Sequence, residues 1–291
     1  MDTNPACEVV QKVLTLQSNR ANKAEPQRIS VECLSSDYDG TLSPLNVSRI
    51  ESRVPLETRV VLAQIGRFLP ISIFTMKDLS FVMPRTPFAR AWSAIGGLEM
   101  RIGKRVLKRE CLEHALSKVA IAVEYAKSQI SSGEIEVEEK QDSEGRTIAF
   151  CVDWRRSGDS KKAKQEAERI ATYCEASRLR VIRYGSQPFY DVYPVAPNKG
   201  RSLQEMLNEL AVKDCGVLYL GDSKMDNSAF RVASVSVGVV HDETPIRNLD
   251  CDYLVRFECV PDFLSALLAN DLLFSSDFSM IATNHSRVRK N

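Results

Sequence analysis

The stretch Asp37-Tyr38-Asp39-Gly40-Thr41-Leu42 is the most informative part of the chain, and it follows an apolar, β-branched run at residues 29–34. In a parallel sheet covered by helices, ligands bind just beyond the carboxyl ends of the strands. Two carboxylates one residue apart can divide the work there, since one attacks phosphorus and the other protonates the leaving oxygen. Gly40 allows a sharp turn whose backbone N–H groups bind phosphate oxygens. The stretch therefore predicts Asp37 and Asp39 as catalytic residues, with Gly40 and Thr41 against the substrate.

A second acidic motif, Gly221-Asp222-Ser223-Lys224-Met225-Asp226, follows another apolar run at residues 217–220. If the two strands are neighbours in one sheet, Asp222 lies beside Asp37 and the carboxylates form a cluster. Hard oxygen ligands of this kind, with water completing the shell, suit Mg²⁺ rather than zinc. Asp226 is expected to orient a metal-bound water or to pair with a lysine. The sequence thus predicts a magnesium site that includes Asp37 and Asp222, with Asp226 outside the ligand shell.

Two further residues complete the predicted phosphate site. Thr75 ends a short apolar strand at residues 70–74, where its hydroxyl can donate to a phosphoryl oxygen. Lys199, within Asn198-Lys199-Gly200 at the start of a predicted helix, supplies a positive charge. That charge can neutralise phosphate and keep the nucleophilic aspartate ionised. We therefore expect Thr75 and Lys199 to act with the aspartates.

Strand and helix patterns alternate along the first and last thirds of the chain, which predicts an α/β fold with a doubly wound, Rossmann-like parallel sheet. The middle third predicts a helix at 105–130, strands at 134–138 and 147–154, a helix at 160–176, and two strands within 180–193. This order makes an αββαββ unit inserted into the larger sheet. We expect a discontinuous core domain at 1–104 and 194–291 and an inserted cap domain at 105–193.

Composition excludes several classes of function. The 291 residues carry 39 Lys and Arg against 38 Asp and Glu, a net charge of +1, which gives no chain-wide attraction to nucleic acid or acidic membranes. The short basic stretches at 161–164 and 287–290 are interpreted as solvated charge. No apolar run is long enough to span a bilayer, and the N-terminus lacks a signal-peptide pattern. The eight cysteines form no C-x-x-C pair, which argues against zinc and for reduced thiols in the cytoplasm.

The four segments around these residues resemble the four motifs of the haloacid dehalogenase superfamily, whose phosphatases work through an aspartyl-phosphate and Mg²⁺. In this resemblance Asp37 is the nucleophile and Asp39 the general acid and base. Thr75 stands for the second motif, Lys199 for the third, and Asp222 with Asp226 for the fourth. The resemblance implies a haloacid dehalogenase core with an inserted cap that closes over the site.

Residues 30–270 also resemble the trehalose-6-phosphate phosphatase family. Pro44, the stretch Asp191-Val192-Tyr193-Pro194 and the stretch 219–230 are similar to motifs of that family. The resemblance implies a substrate-binding set consisting of Lys77, Glu139, Lys140, Arg155, Asp191 and Asn198. The chain departs from the family pattern at Thr75-Met76-Lys77, Gly96, Asp153, Asp191 and Ser223. The core chemistry is retained through these departures, and the sugar specificity is what they affect.

The sequence thus predicts a Mg²⁺-dependent phosphomonoesterase for a phosphorylated sugar, with trehalose 6-phosphate as the first candidate. The ion would be held by a carboxylate oxygen of Asp37, the backbone carbonyl of Asp39 and Asp222. One alternative is another sugar-phosphate phosphatase, such as one for mannosyl-3-phosphoglycerate. Another is a catalytically silent subunit that binds a sugar phosphate or regulates a synthase. The expected partners are a small-molecule sugar phosphate and a sugar-phosphate synthase, with no nucleic acid and no membrane.

Overall fold

The computed structural model describes residues 17–18, 28–45, 47–130, 135–185, 187–241 and 248–275. The basic tail at 287–290 and the beginning of the predicted strand at 134–138 lie outside the described residues. The chain divides into two compact units, which we call unit 1 (1–70 with 212–291) and unit 2 (71–211). The domain boundaries expected at 104/105 and 193/194 stay a prediction.

Strands and helices alternate, as the sequence predicted. The strands in chain order are β1 Gln17–Ser18, β2 Arg28–Ser30, β3 Cys33–Asp37, β4 Ile71–Phe74, β5 Ala91–Ala94, β6 Glu99–Ile102, β7 Arg105–Lys108, β8 Glu136–Gln141, β9 Thr147–Asp153, β10 Arg180–Arg183, β11 Phe189–Tyr193, β12 Val217–Gly221, β13 Val235–Val240, β14 Tyr253–Arg256 and β15 Leu273–Ser275. The helices are α1 Leu56–Ile65, α2 Leu79–Val82, α3 Cys111–Gln129, α4 Ser160–Ala176, α5 Lys199–Leu210, α6 Asn227–Phe230 and α7 Val260–Ala269. Among the described residues no helix combines the length and apolarity that a membrane span needs.

Unit 1 is built on a sheet of order β1-β14-β13-β12-β3, in which β3, β12, β13 and β14 run parallel. Every residue of β3 and β12 is buried, which is the pattern of a parallel sheet covered on both faces. Helices α1 and α7 pack against each other in the same unit. The mixed α/β fold with a parallel central sheet is therefore confirmed.

One predicted strand, 29–34, is wrong as a single element. β2 pairs with β15 in a separate small sheet, while β3 belongs to the parallel sheet. Between them the N–H of Val31 donates to the Leu272 carbonyl at 2.9 Å and the N–H of Glu32 to the Gly216 carbonyl at 2.7 Å. The chain changes sheets at these two residues, so that β3 extends to Asp37 and carries the first aspartate on its last position.

Unit 2 contains a sheet of order β4-β5-β6-β7, in which β4 and β5 are parallel and the other pairs are antiparallel. The helix predicted from residue 105 is wrong at its start, because residues 105–108 form β7 and the helix begins at Cys111. Gly103 has φ +57°, which lets Gly103 and Lys104 close a tight hairpin between β6 and β7.

The rest of unit 2 has the predicted αββαββ order, with α3, β8, β9, α4, β10 and β11. Its four strands form an antiparallel sheet of order β10-β11-β9-β8. One face of this sheet packs on α3 and α4 through a buried cluster that includes Phe150, Val152 and Val192. Because side chains alternate along a strand, residues 140, 151 and 191 lie on the opposite face. We call that opposite face the open face.

Candidate active site

Asp37 lies at the carboxyl end of β3 with its side chain buried. The backbone N–H of Tyr38 donates to Asp37 Oδ1 at 2.7 Å, which fixes the orientation of the carboxylate. The ring of Tyr38 is itself fully buried, and its hydroxyl donates to the Ser52 carbonyl at 3.1 Å. The residue between the two aspartates therefore anchors the stretch to the protein interior, and Asp37 is held at the edge of the sheet.

A tight turn follows and carries Asp39, which is half-buried. The N–H groups of Leu42 and Ser43 both donate to the Tyr38 carbonyl, at 3.0 and 2.9 Å, and the Gly40 N–H donates to the Ser43 carbonyl at 2.8 Å. Gly40 has φ +77°, and a Cβ at this position would lie 2.1 Å from Asp222 Oδ2. Glycine is required here both by the left-handed backbone and by the close approach of the Asp222 carboxylate.

The second acidic motif meets the first because β12 is the parallel neighbour of β3, with Leu220 opposite Ser36. Asp226 is fully buried and accepts three hydrogen bonds. Tyr219 Oη donates to its Oδ1 at 2.8 Å, while the N–H and Oγ of Ser223 donate to its Oδ2, both at 3.1 Å. Ser223 stands where the trehalose-6-phosphate phosphatase pattern has a second aspartate, and here it orients Asp226.

Asp37, Asp222 and Asp226 each place a carboxylate oxygen within 4.8 Å of the others. Burial together with the negative charges of Asp226, Asp37 and Asp222 raises the pKa of Tyr219, so its hydroxyl stays protonated and donates. The donor set consists of carboxylate oxygens, which fit Mg²⁺ and do not fit a soft metal. Thr41 Oγ1, in the adjoining turn, is buried without a hydrogen-bond partner among the described residues. These three aspartates are the residues that could hold a magnesium ion.

Thr75 and Lys77 lie in unit 2, directly after β4. Thr75 is buried, its N–H donates to the Ser93 carbonyl at 2.9 Å, and its Oγ1 accepts from the Lys77 N–H at 3.1 Å. Since that Oγ1 is an acceptor in this contact, its own hydrogen can still be donated. The side chain of Lys77 is half-buried. Thr75 therefore has the strand-end position and the donor that the sequence predicted for it.

Lys199 is the buried first residue of α5, in unit 2. The side chain of Asn198 caps this helix by accepting from the Arg201 N–H at 2.9 Å, so Asn198 has a structural contact as well as its predicted substrate-binding role. A Cβ on Gly96 would lie 2.4 Å from Cβ of Pro197, which leaves no room for the histidine of the related family motif. Within unit 2, the loop after β5 and the start of α5 are thus packed together. The joining of Thr75 and Lys199 with the aspartates of unit 1 stays a prediction.

On the open face, Lys140 and Asp191 form a buried ion pair. Lys140 Nζ donates to Asp191 Oδ1 at 2.6 Å and to Tyr193 Oη at 3.1 Å. The hydroxyls of Tyr184 and Tyr193 donate to Asp191 Oδ2 at 2.7 and 3.1 Å. Burial favours the neutral form of each group, but the attraction between the charges outweighs it, lowering the pKa of Asp191 and raising that of Lys140. Two predicted substrate-binding residues are therefore bound to each other.

The other two cap residues have different surroundings. Glu139 is on the helix-covered face, where it accepts from Lys127 Nζ at 2.7 Å and from the hydroxyl of Thr147, so it is not grouped with Lys140. These two contacts lower the pKa of Glu139 against the opposing effect of burial. Arg155 is half-exposed and its Nε donates to Asp153 Oδ2 at 2.8 Å. Of the predicted cap set, Arg155 is the side chain with the most access to solvent.

The contacts of Tyr219, Tyr184 and Tyr193 were not predicted from the sequence. Tyr219 lies on β12, the strand that leads into Asp222, and its hydroxyl is the one polar side-chain group in the apolar run 217–220, which was the available signal. Tyr193 is two residues from Asp191 on β11 and therefore shares its face. Tyr184 follows β10, and no local pattern points from it to Asp191.

Comparisons with known proteins agree with the fold. A sequence model of the haloacid dehalogenase-like hydrolases matches residues 111–248. The fold is similar to a trehalose-6-phosphate phosphatase related protein, at 15% identity and a TM-score of 0.65 over 82% of this chain and 98% of that chain. It is also similar to the C-terminal domain of the C. albicans trehalose-6-phosphate phosphatase, at 17% identity and a TM-score of 0.62 over 83% of this chain and 93% of that chain.

The chain further resembles a subclass IIB sugar phosphatase of the haloacid dehalogenase superfamily, at 16% identity and a TM-score of 0.55 over 83% of this chain and all of that chain. No curated protein matches the chain in sequence. The haloacid dehalogenase resemblance is confirmed. Likenesses at this level of identity show the fold and not the substrate.

Proposed function

We propose that this haloacid dehalogenase-like hydrolase is a Mg²⁺-dependent phosphomonoesterase for a phosphorylated sugar. The observation that carries the proposal is the convergence of Asp37, Asp222 and Asp226, whose carboxylate oxygens lie within 4.8 Å of one another. Three carboxylates this close repel each other unless a cation or a proton is present. A divalent ion, when bound there, neutralises charge on a phosphoryl group beside the nucleophile.

The residues of the chain supply the remaining chemistry. A carboxylate oxygen of Asp37 forms a bond to phosphorus as the ester P–O bond breaks, and the leaving sugar oxygen takes a proton from Asp39. Water then attacks phosphorus, gives its proton to Asp39 and releases inorganic phosphate with Asp37 restored. Thr75 would donate to a phosphoryl oxygen, and Lys199 would neutralise charge on it.

For the substrate we propose trehalose 6-phosphate first. Two of the similar folds are described as trehalose-6-phosphate phosphatase or a related protein, and a third as a sugar phosphatase. The half-exposed Arg155 and its partner Asp153 offer hydrogen-bond donors and acceptors suited to sugar hydroxyls. Mannosyl-3-phosphoglycerate is the alternative substrate. A sugar-phosphate synthase would then supply the substrate, and the cytosol, where thiols such as Cys151 and Cys174 stay reduced, is the proposed compartment.

The test is phosphate release from a panel of sugar phosphates, with Mg²⁺ and with excess EDTA. We expect Mg²⁺-dependent release, fastest from trehalose 6-phosphate, and none from the matched variant Asp37→Asn. Faster release from mannosyl-3-phosphoglycerate would change the substrate but keep the reaction class. Binding of a sugar phosphate without release from any member of the panel would contradict the enzyme and favour a silent binding subunit.

A further inference from the structure

His241 touches the turn that carries the catalytic aspartates. It directly follows β13, and its Nε2 lies 2.7 Å from the carbonyl oxygen of Gly40. A carbonyl oxygen only accepts hydrogen bonds, so Nε2 carries the hydrogen and donates. This contact joins two parts of unit 1 that are 201 positions apart in the sequence.

The order of the strands explains why such a contact exists. β12 lies between β3 and β13, and Asp222 comes directly after β12. The turn that leaves β3 has to cross the end of β12 to reach His241. Gly40 is therefore held between the Asp222 carboxylate, which leaves no space for a Cβ, and the imidazole of His241. With its N–H bonded to Ser43, both backbone polar groups of Gly40 are fixed.

The imidazole ring is itself supported from its other side. It stacks on the ring of Phe257, with centroids 5.0 Å apart and planes 23° apart. Phe257 follows directly after β14, the next parallel strand. The ends of β13 and β14 thus hold the imidazole in place, and the imidazole holds the Gly40 carbonyl.

We propose that His241 is a positioning residue for the aspartyl turn. By fixing the Gly40 carbonyl, His241 keeps the turn packed against Asp222. Asp37 and Asp39 then lie on the same side as the carboxylates of the second acidic motif. His241 takes no part in proton transfer in this proposal. Its catalytic consequence rests on the proposed phosphatase function, whereas its consequence for metal binding does not.

The experiment compares His241→Met with His241→Gln in the full-length protein. Methionine and glutamine have similar length, and glutamine places an amide N–H near the position of Nε2. We expect His241→Met to lower kcat and to weaken Mg²⁺ binding measured by calorimetry, each about tenfold or more, as loss of a supporting contact does in metal sites. KM should change little, and His241→Gln should recover most of both losses. If His241→Met does not fold, His241→Leu gives the same comparison with a shorter side chain.

Two results would overturn the proposal. One is wild-type kcat and Mg²⁺ affinity in a folded His241→Met protein. The other is an equal loss in the methionine and glutamine variants, which would mean that the shape of the ring matters and the hydrogen bond does not. If the wild-type protein releases no phosphate from any sugar phosphate, the Mg²⁺ titrations still decide the role of His241, and the failure is then that of the proposed function alone.

Discussion

Replacing Lys140 by methionine should destabilise the protein strongly, because it leaves Asp191 buried without its counter-ion. The two side chains are only 4% and 6% exposed. Removing one partner of a buried pair costs roughly 3–5 kcal/mol. The hydroxyls of Tyr184 and Tyr193 still donate to Asp191 in the variant, which favours the lower end of that range. We expect a loss of about 3 kcal/mol, or roughly 6–12 °C in Tm for a chain of this size.

The pH dependence gives a second signature of the same pair. The pKa of Asp191 is below its ordinary value near 4, so its ionised form adds stability above that value and loses it as the pH falls through the lowered pKa. The pKa of Lys140 is raised, so its contribution is present below its ordinary value of about 10.5. The difference in unfolding free energy between wild type and Lys140→Met should therefore be largest near neutral pH and shrink below about pH 4.

The assay is urea unfolding followed by circular dichroism, at pH 7 and at pH 3.5. Lys127→Met is the matched control, because it removes a lysine that pairs with Glu139 at a half-exposed position, where an ion pair adds little to stability. The double variant Lys140→Met/Asp191→Asn should recover at least half of the loss, because the amide oxygen still accepts from the tyrosines. Two results would contradict this expectation. One is a loss of unfolding free energy in Lys140→Met that is no greater than in the control, and the other is a double variant that is no more stable than Lys140→Met.

Three shorter predictions concern the candidate active site. Asp37→Asn should abolish phosphate release and leave the fold intact, since the side chains are nearly isosteric; near wild-type activity would remove Asp37 from the nucleophilic role. Gly40→Ala should lower kcat and Mg²⁺ affinity and cost about 1–2 kcal/mol in unfolding free energy, because its φ is +77° and its Cβ would overlap Asp222. Arg155→Ala should raise KM for the sugar phosphate far more than KM for p-nitrophenyl phosphate. The control Glu139→Gln, on the helix-covered face, should change neither KM. Equal effects of Arg155→Ala on both substrates would mean that Arg155 does not contact the sugar.

The aspartate cluster could be anticipated from the sequence because it depends on local patterns. An apolar run followed by an acidic turn marks the end of a buried strand, and two such strand ends that pair in parallel put Asp37 and Asp222 side by side. The contacts of Asp226 were harder to anticipate, because one of its carboxylate oxygens accepts from Tyr219 and the other from Ser223. Short-range patterns indicate position along a strand, and they do not indicate which hydroxyl reaches a given carboxylate.

The β6–β7 hairpin was missed for a different reason. Residues 105–108 are apolar and basic in a pattern that also extends the helix that follows, and Gly103 was the one signal of a turn before them. The partners of Lys140 were missed because they depend on the pairing of β8, β9 and β11. The contact of Lys140 with Asp191 spans 51 positions, and its existence depends on a strand register that no local signal specifies.

At several positions where the chain departs from the trehalose-6-phosphate phosphatase pattern, the residue that is present makes a specific contact within this protein. Gly96, in place of a histidine, allows the loop after β5 to pack against Pro197. The hydroxyl of Ser223, which stands in place of an aspartate, donates to Asp226 Oδ2 at 3.1 Å. Asp153, in place of a cap histidine, binds Arg155.

Such compensation keeps a fold and its carboxylate cluster intact while the surface that meets the sugar is altered. A change at Ser223 alters the contacts of Asp226, whereas a change at Asp153 alters the contacts of Arg155, the half-exposed member of the predicted substrate-binding set. Substrate preference should therefore respond to the Asp153–Arg155 pair, and the rate of phosphoryl transfer to the contacts of Asp226. A sugar-phosphate panel run on Asp153→His and on Ser223→Asp separates the two, because the first should change the order of substrates and the second should change all rates together.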